Sequence, residues 1–203
     1  MDYKLLITAI ISTVLVNNYV LQRFLGVCPF LGVSKEQKSA IGMSAAVIFV
    51  MILATAATWP INKYFLREDG LLGFDLGFLQ IIVFILVIAT LVQFVEIVLK
   101  RFMPSLYKTL GVYLPLMTTN CAIFAVTMVN IDEGFSFIVS LVNAFGSGLG
   151  FFIAMVIFSS IRFHTENSDP PQAFKGLPLI LISAAILSFS FYGFAGVAEN
   201  LFR

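Results

Sequence analysis

Six stretches of about twenty or more largely apolar residues, near 4–33, 40–60, 76–99, 106–131, 135–161 and 177–198, leave this chain almost no way to fold in water. A hydrocarbon layer about 30 Å thick is crossed by roughly twenty helical residues, so each stretch reads as one membrane crossing. With 60% hydrophobic and 11% charged residues among 203, the chain is far more apolar than a soluble domain of this length. The expected fold is all-α: a single membrane domain over 1–203 with six transmembrane helices. A formal net charge of +1 with no basic run excludes nucleic acid as a partner. The start, Met1-Asp2-Tyr3-Lys4, has no basic n-region and no cleavage site, so the first stretch is read as a retained span.

Two of the six stretches contain residues that do not suit an uninterrupted helix. The first holds Asn17, Asn18, Arg23, Gly26 and Pro29; the fourth holds Gly111, Pro115 and Thr118-Thr119-Asn120. Both are expected to be broken, because irregular backbone at membrane depth survives where protein or a wet cavity shields it. The chain's two cysteines sit in these same two stretches, in segments that echo each other. From Cys28 the sequence runs Cys-Pro-Phe-Leu-Gly-Val-Ser, and from Cys121 it runs Cys-Ala-Ile-Phe-Ala-Val-Thr. Six spans divide into halves of about 1–100 and about 101–203, and three crossings per half is an odd number. The halves therefore have opposite orientation, an inverted-topology repeat whose in-plane axis brings matching points together near the bilayer midplane.

Two thiols meeting there are inert packing residues, a disulfide, or half of a thiolate metal site. A disulfide between packed helices explains neither the breaks nor the polar residues beside them. Soft ligands at matching points of related halves favour the metal reading. Thiolate-only zinc and iron–sulfur sites take four ligands, and this chain offers two, so the other pair has to come from a second copy or a paralogue. No small loop domain exists here for zinc to stabilise, whereas an iron–sulfur cluster in lipid relays electrons across a low-dielectric layer. Arg23 is read in two ways, as a cation raising the potential of an anionic cluster or as a side chain snorkelling to the interface. Gly26 and Pro29 shape one break and Thr119 and Asn120 the other, and Asn17, Asn18, Thr118, Thr119 and Asn120 are read either as satisfying unwound backbone or as donating to cluster sulfurs.

The remaining features read structurally. Trp59-Pro60 marks an interface and a helix stop. Glu96 and Lys100 form an i,i+4 pair near the end of the third span, either an interfacial ion pair or an ion-path carboxylate. Gly146-Ser147-Gly148-Leu149-Gly150 points to close helix packing, and with no strand before it a phosphate loop is excluded. His164 is assigned to a solvated loop after span five. Seven Lys and Arg residues follow odd-numbered spans, Arg162 and Lys175 among them, against four on the other side. The odd-to-even loops therefore face the cytoplasm and both termini face outward. No Ser-His-Asp, HExxH or Walker pattern is present.

At the cysteine segments the chain also resembles a known family. Val16-Asn17-Asn18-Tyr19-Val20-Leu21, Phe24 to Lys35, Leu114 to Ala122 and the loop Asp169 to Gly176 resemble the membrane subunits of the Rnf electron-transport complex, on the RnfA side of the RnfA/RnfE/NqrD/NqrE family. The Nqr members of that family belong to the sodium-pumping NADH:quinone oxidoreductase. Asn17-Asn18 and Thr119 look more like the Rnf branch, and Met117 stands where Ile or Leu is expected. The resemblance implies a six-helix inverted-repeat subunit of the bacterial inner membrane, paired with a paralogous RnfE-like chain. It implies that Cys28 and Cys121 give two of the four ligands to a shared 2Fe-2S cluster. It also implies a complex, with further B, C, D and G subunits, that passes electrons between ferredoxin and NAD and couples them to Na+ or H+ transport. Ferredoxin, NAD and flavins would then be handled by those other chains, leaving no substrate-binding active site in this chain alone. The competing readings are an NqrE-type subunit of the Na+-translocating NADH:quinone reductase, a small inverted-repeat transporter with structural cysteines, and a purely structural membrane scaffold.

Overall fold

The computed structural model describes residues 14, 18–34, 37–66, 80–102, 117–168, 171 and 174–201. Within them the regular structure is helical: α1 (Val27–Val33), α2 (Gln37–Ile61), α3 (Gln80–Phe102), α4 (Cys121–Asp132), α5 (Phe137–Glu166) and α6 (Leu177–Leu201). A π-helical turn, Asn62–Leu66, follows α2. Gln37–Tyr64, Gln80–Val98 and Phe137–Thr165 are each long and apolar enough to cross a membrane, and Cys121–Asp132 and Leu177–Gly193 are shorter apolar helices. The expectations placed on Asn17, Lys35, Lys108, Gly111 and Pro115, and on most of the first span, lie outside the described residues.

The outside of α3 shows what solvent this fold meets. Its inner stripe, Phe84, Ile88, Val92 and Val95, recurs at helical spacing and is buried. Its outer face carries Ile81, Ile82, Ile85, Leu86, Phe94 and Ile97, all exposed. A helix apolar on every side and exposed on one of them is facing lipid.

The centre of the bundle is the pair α2 and α5, with α4 and α3 packed on α2 and α6 on α5. The Gly-rich run of α5 allows that approach, as its spacing predicts. A Cβ at Gly148 would stand 2.9 Å from Ile48 Cγ1 and 3.3 Å from its Cα, so only hydrogen fits against α2.

Two boundaries differ from the sequence expectation. Pro60 does not stop its helix: α2 runs to Ile61 with Pro60 inside it. Proline removes one amide and crowds the carbonyl four residues back, and the chain accommodates this by widening into the π turn that follows. Trp59 is fastened rather than merely interfacial, its Nε1–H donating to the Phe135 carbonyl at 3.0 Å and its ring lying 4.9 Å from the Lys63 ammonium. The second correction is at α5, whose thirty residues reach Glu166. At 1.5 Å per residue that is about 45 Å, longer than a bilayer core, so the helix outlasts its apolar run. His164 consequently stands exposed in the last turn of a helix, and Arg162, counted above as a loop charge, is a buried helical residue.

The stretch before α1 is irregular, and its backbone groups find partners in a way that explains Asn18. Asn18 is 1% exposed; its Oδ1 accepts from the Val20 and Leu21 amides, and its Nδ2 donates to the Gly150 carbonyl at 2.9 Å. Gln22 N–H donates to the Asn18 carbonyl, Leu25 N–H to the Tyr19 carbonyl, and the Ser188 hydroxyl to the Leu21 carbonyl. Unwound backbone is thus satisfied by the Asn18 side chain, by local turns and by α6 instead of by water, while Asn18 itself is anchored on α5. Asn18→Ala strands two amides and a carbonyl in the interior, and the expected loss is on the order of 3 kcal/mol of stability. A thermal melt of the detergent-solubilised protein, with Asn167→Ala at an exposed position as the comparison, measures it.

Candidate functional site

Both cysteine-bearing helices start afresh in the interior. At α4, Asn120 is the N-cap: its Oδ1 accepts the Ala122 amide at 3.0 Å, which fixes Cys121 as the first helical residue. At α1 the chain passes through Phe24 at φ 53° and Gly26 at φ 85°, so two left-handed residues turn the backbone into the helix. Pro29 is the third residue of α1 and buried, a position whose amide has no partner inside a helix, so proline costs nothing there. Thr119 is exposed in the turn before the cap.

The two starts touch. Gly26 N–H donates to Cys121 Sγ at 2.8 Å across 95 residues of sequence. A Cβ on Gly26 would stand 3.1 Å from Ala122 Cβ, 3.1 Å from Phe151 Cε2 and 3.4 Å from Asn120 Oδ1. The close approach that brings Cys121 to the turn just before the Cys28 helix therefore rests on a residue without a side chain. Cys121 is half-buried and Cys28 is exposed, and neither is in a disulfide. Asn120 Nδ2 is buried with no hydrogen-bond partner among the described residues.

An amide hydrogen thus meets sulfur at the N-terminus of a twelve-residue helix. The donor set is otherwise half a site: among the described residues no three His, Cys, Asp or Glu side chains group closely enough to hold a metal. Arg23 is exposed, with its guanidinium 5.3 Å from the centre of the Tyr19 ring.

Two further features were not read from the sequence. Asn143 Nδ2 donates to Asn130 Oδ1 at 2.6 Å, Asn130 Nδ2 donates to the Ser140 carbonyl, and Tyr19 is hydrogen-bonded to Asn143 and Ser147. This polar chain links the break at Tyr19 with a cavity of about 260 Å³ lined by Trp59, Asn62, Lys63, Asn130 and Gly134. Single Asn and Ser residues in apolar stretches are the signal that marks it. The other feature is Arg162, whose Nη1 donates to the Leu31 carbonyl at 2.6 Å and to Ser34 Oγ at 2.7 Å.

Fold and site together define a multi-pass membrane protein in which the start of the helix that opens with Cys121 touches the turn just before Cys28. The family model described as "Rnf-Nqr subunit, membrane protein" matches residues 6–198, and the chain belongs to that family. It is 50% identical over 192 residues to the A subunit of the Na(+)-translocating ferredoxin:NAD(+) oxidoreductase complex of Acetobacterium woodii, covering 95% of this chain and 97% of that one. It is also 50% identical over 191 residues to the A subunit of an ion-translocating oxidoreductase complex of an Azoarcus species, covering 94% and 96% of the two chains. The protein of the same name from Shewanella oneidensis is 46% identical over 198 residues, covering 98% and 99%.

Proposed function

We propose that this chain is the RnfA component of an ion-translocating ferredoxin:NAD+ oxidoreductase of the bacterial inner membrane, and that it relays electrons through the membrane. Cys28 and Cys121 supply two ligands to a 2Fe-2S cluster, and a paralogous RnfE-like chain supplies the other two. The supporting observation is the contact of Gly26 N–H with Cys121 Sγ, which joins the starts of the two cysteine-bearing helices across 95 residues of sequence. The exposure of Cys28 supports completion from outside the chain. The names of the relatives support the ferredoxin, NAD and Na+ assignments.

In this reading the bound cluster supplies one-electron transfer, and the protein supplies position and electrostatics. Asn120 fixes the first turn of α4, Gly26 permits contact and donates to sulfur, and Asn18 holds the approach to α1 against α5. Six spans in two inverted halves, with both termini on the periplasmic side, complete the topology. Coupling to Na+ or H+ then uses the two interrupted helices as opposed gates.

Iron and acid-labile sulfide analysis of the assembled complex, with its electron paramagnetic resonance spectrum in the reduced state, tests the assignment. The expected result is a reduced 2Fe-2S signal that disappears in Cys28→Ser and Cys121→Ser while the other centres of the complex stay. A signal set unchanged by both substitutions overturns it and leaves a transporter with structural cysteines.

A further inference from the structure

We infer that Arg162 is a positioning residue for Cys28 and the fixed positive charge that sets the reduction potential at that sulfur; this rests on the cluster assignment above. Arg162 is 5% exposed, in the last part of α5. Its Nη1 donates to the Leu31 carbonyl at 2.6 Å and to Ser34 Oγ at 2.7 Å, and on the same side of α5 the Ser159 hydroxyl donates to the Ser34 carbonyl at 3.1 Å. One turn away from Arg162, Phe158 stacks on Phe30 with ring centres 4.0 Å apart and planes 20° apart.

Residues 158, 159 and 162 thus present one face of α5 to the seven-residue helix that carries Cys28. So short a helix has few internal hydrogen bonds, and its last carbonyls need outside donors. Arg162 supplies one and places a cation where the carbonyl ends accumulate negative charge. Leu31 is three residues beyond Cys28, one helical turn, which puts the guanidinium on the order of 10 Å from the sulfur. Burial matters to the second half of the inference. Bulk salt screens a charge inside the bundle much less than one on the surface.

Reduction of a thiolate-held 2Fe-2S group adds one electron and one unit of negative charge, with no bond made or broken. A fixed cation nearby favours the reduced form and so raises the midpoint potential. The hydrogen bonds do the positioning and the charge does the tuning, and the two are separable by experiment.

The test is a redox titration of the assembled complex followed by paramagnetic resonance, reading the signal that Cys28→Ser abolishes, together with iron content. In Arg162→Gln the midpoint is expected to fall clearly below the wild-type value. In Arg162→Lys, which keeps the charge but not the fork, the midpoint is expected to return most of the way even where iron content is reduced. Phe158→Leu, which loosens packing without touching charge, is expected to lower iron content and leave the midpoint in place. Should Arg162→Gln fail to assemble, Ser159→Asp offsets the charge with Arg162 retained, and the same fall is expected. A midpoint equal to wild type in whichever charge-offset variant assembles overturns the inference and reduces Arg162 to a structural clamp. A wild-type complex without any Cys28-dependent signal instead overturns the cluster assignment itself, a distinct outcome.

Discussion

Cys121→Ser is expected to abolish electron transfer by the assembled complex, to background, while leaving the fold of this chain nearly untouched. The two halves of that expectation come from different physics. Serine is close to isosteric with cysteine, and its hydroxyl oxygen accepts the Gly26 amide as sulfur does, so the contact between the helix starts survives. A single hydrogen bond exchanged for a similar one changes stability by about 1 kcal/mol or less. As a ligand the exchange is severe, because a neutral, hard hydroxyl replaces a soft thiolate. Cys28→Ser is expected to do the same with still less structural effect, since Cys28 is exposed. Ferredoxin-dependent NAD reduction in membrane vesicles, paired with a thermal melt of the purified complex, separates the two quantities. Activity retained in either variant at a wild-type level removes that cysteine from the electron path.

Gly26→Ala is expected to be the most destabilising conservative change in the site. Alanine at φ 85° pays about 1–2 kcal/mol of backbone strain that glycine does not. Its methyl also meets Ala122 Cβ and Phe151 Cε2 at 3.1 Å, contacts tighter than van der Waals packing allows, and crowding of this kind adds about 1–3 kcal/mol. The expected total is roughly 2–5 kcal/mol, with loss of iron as the two helix starts are pushed apart. Gly134 provides the internal comparison: φ is 65° and nothing lies within 4 Å of an added methyl, so Gly134→Ala shows the strain without the crowding. Melting temperature and iron content of the two variants side by side settle the matter. Equal losses would mean that the close approach at Gly26 contributes nothing.

Much of this site was legible in the sequence because its requirements are chemical and local. A cysteine preceded by Gly26 and followed by Pro29, or preceded by Thr119-Asn120, announces a helix that starts there. The Gly148 approach to Ile48 was equally readable, since small residues at that spacing serve little else in an apolar helix. Arg162 and Pro60 were not legible, for opposite reasons. Hydropathy ends a span where charge begins, so it discards an arginine whose partners come from a segment more than a hundred residues away. It also treats proline as a stop, although Pro60 lies inside α2, which ends one residue later and passes into a π turn. The amide of Gly26 on Cys121 has no sequence signature at all, because every residue but proline carries an amide.

One arrangement limits how this protein can move. Helix α5 grips the chain on both sides of the interruption before Cys28, through Gly150 to Asn18 on one side and through Arg162 to Leu31 on the other. It acts as a splint across a fracture. The Cys28 segment is thereby denied a private hinge, and any displacement of it drags the thirty-residue rod of α5 along. Slippage is left to the seam between Gly26 and Ala122, so any displacement would register there first, as a sliding of one rigid block past another.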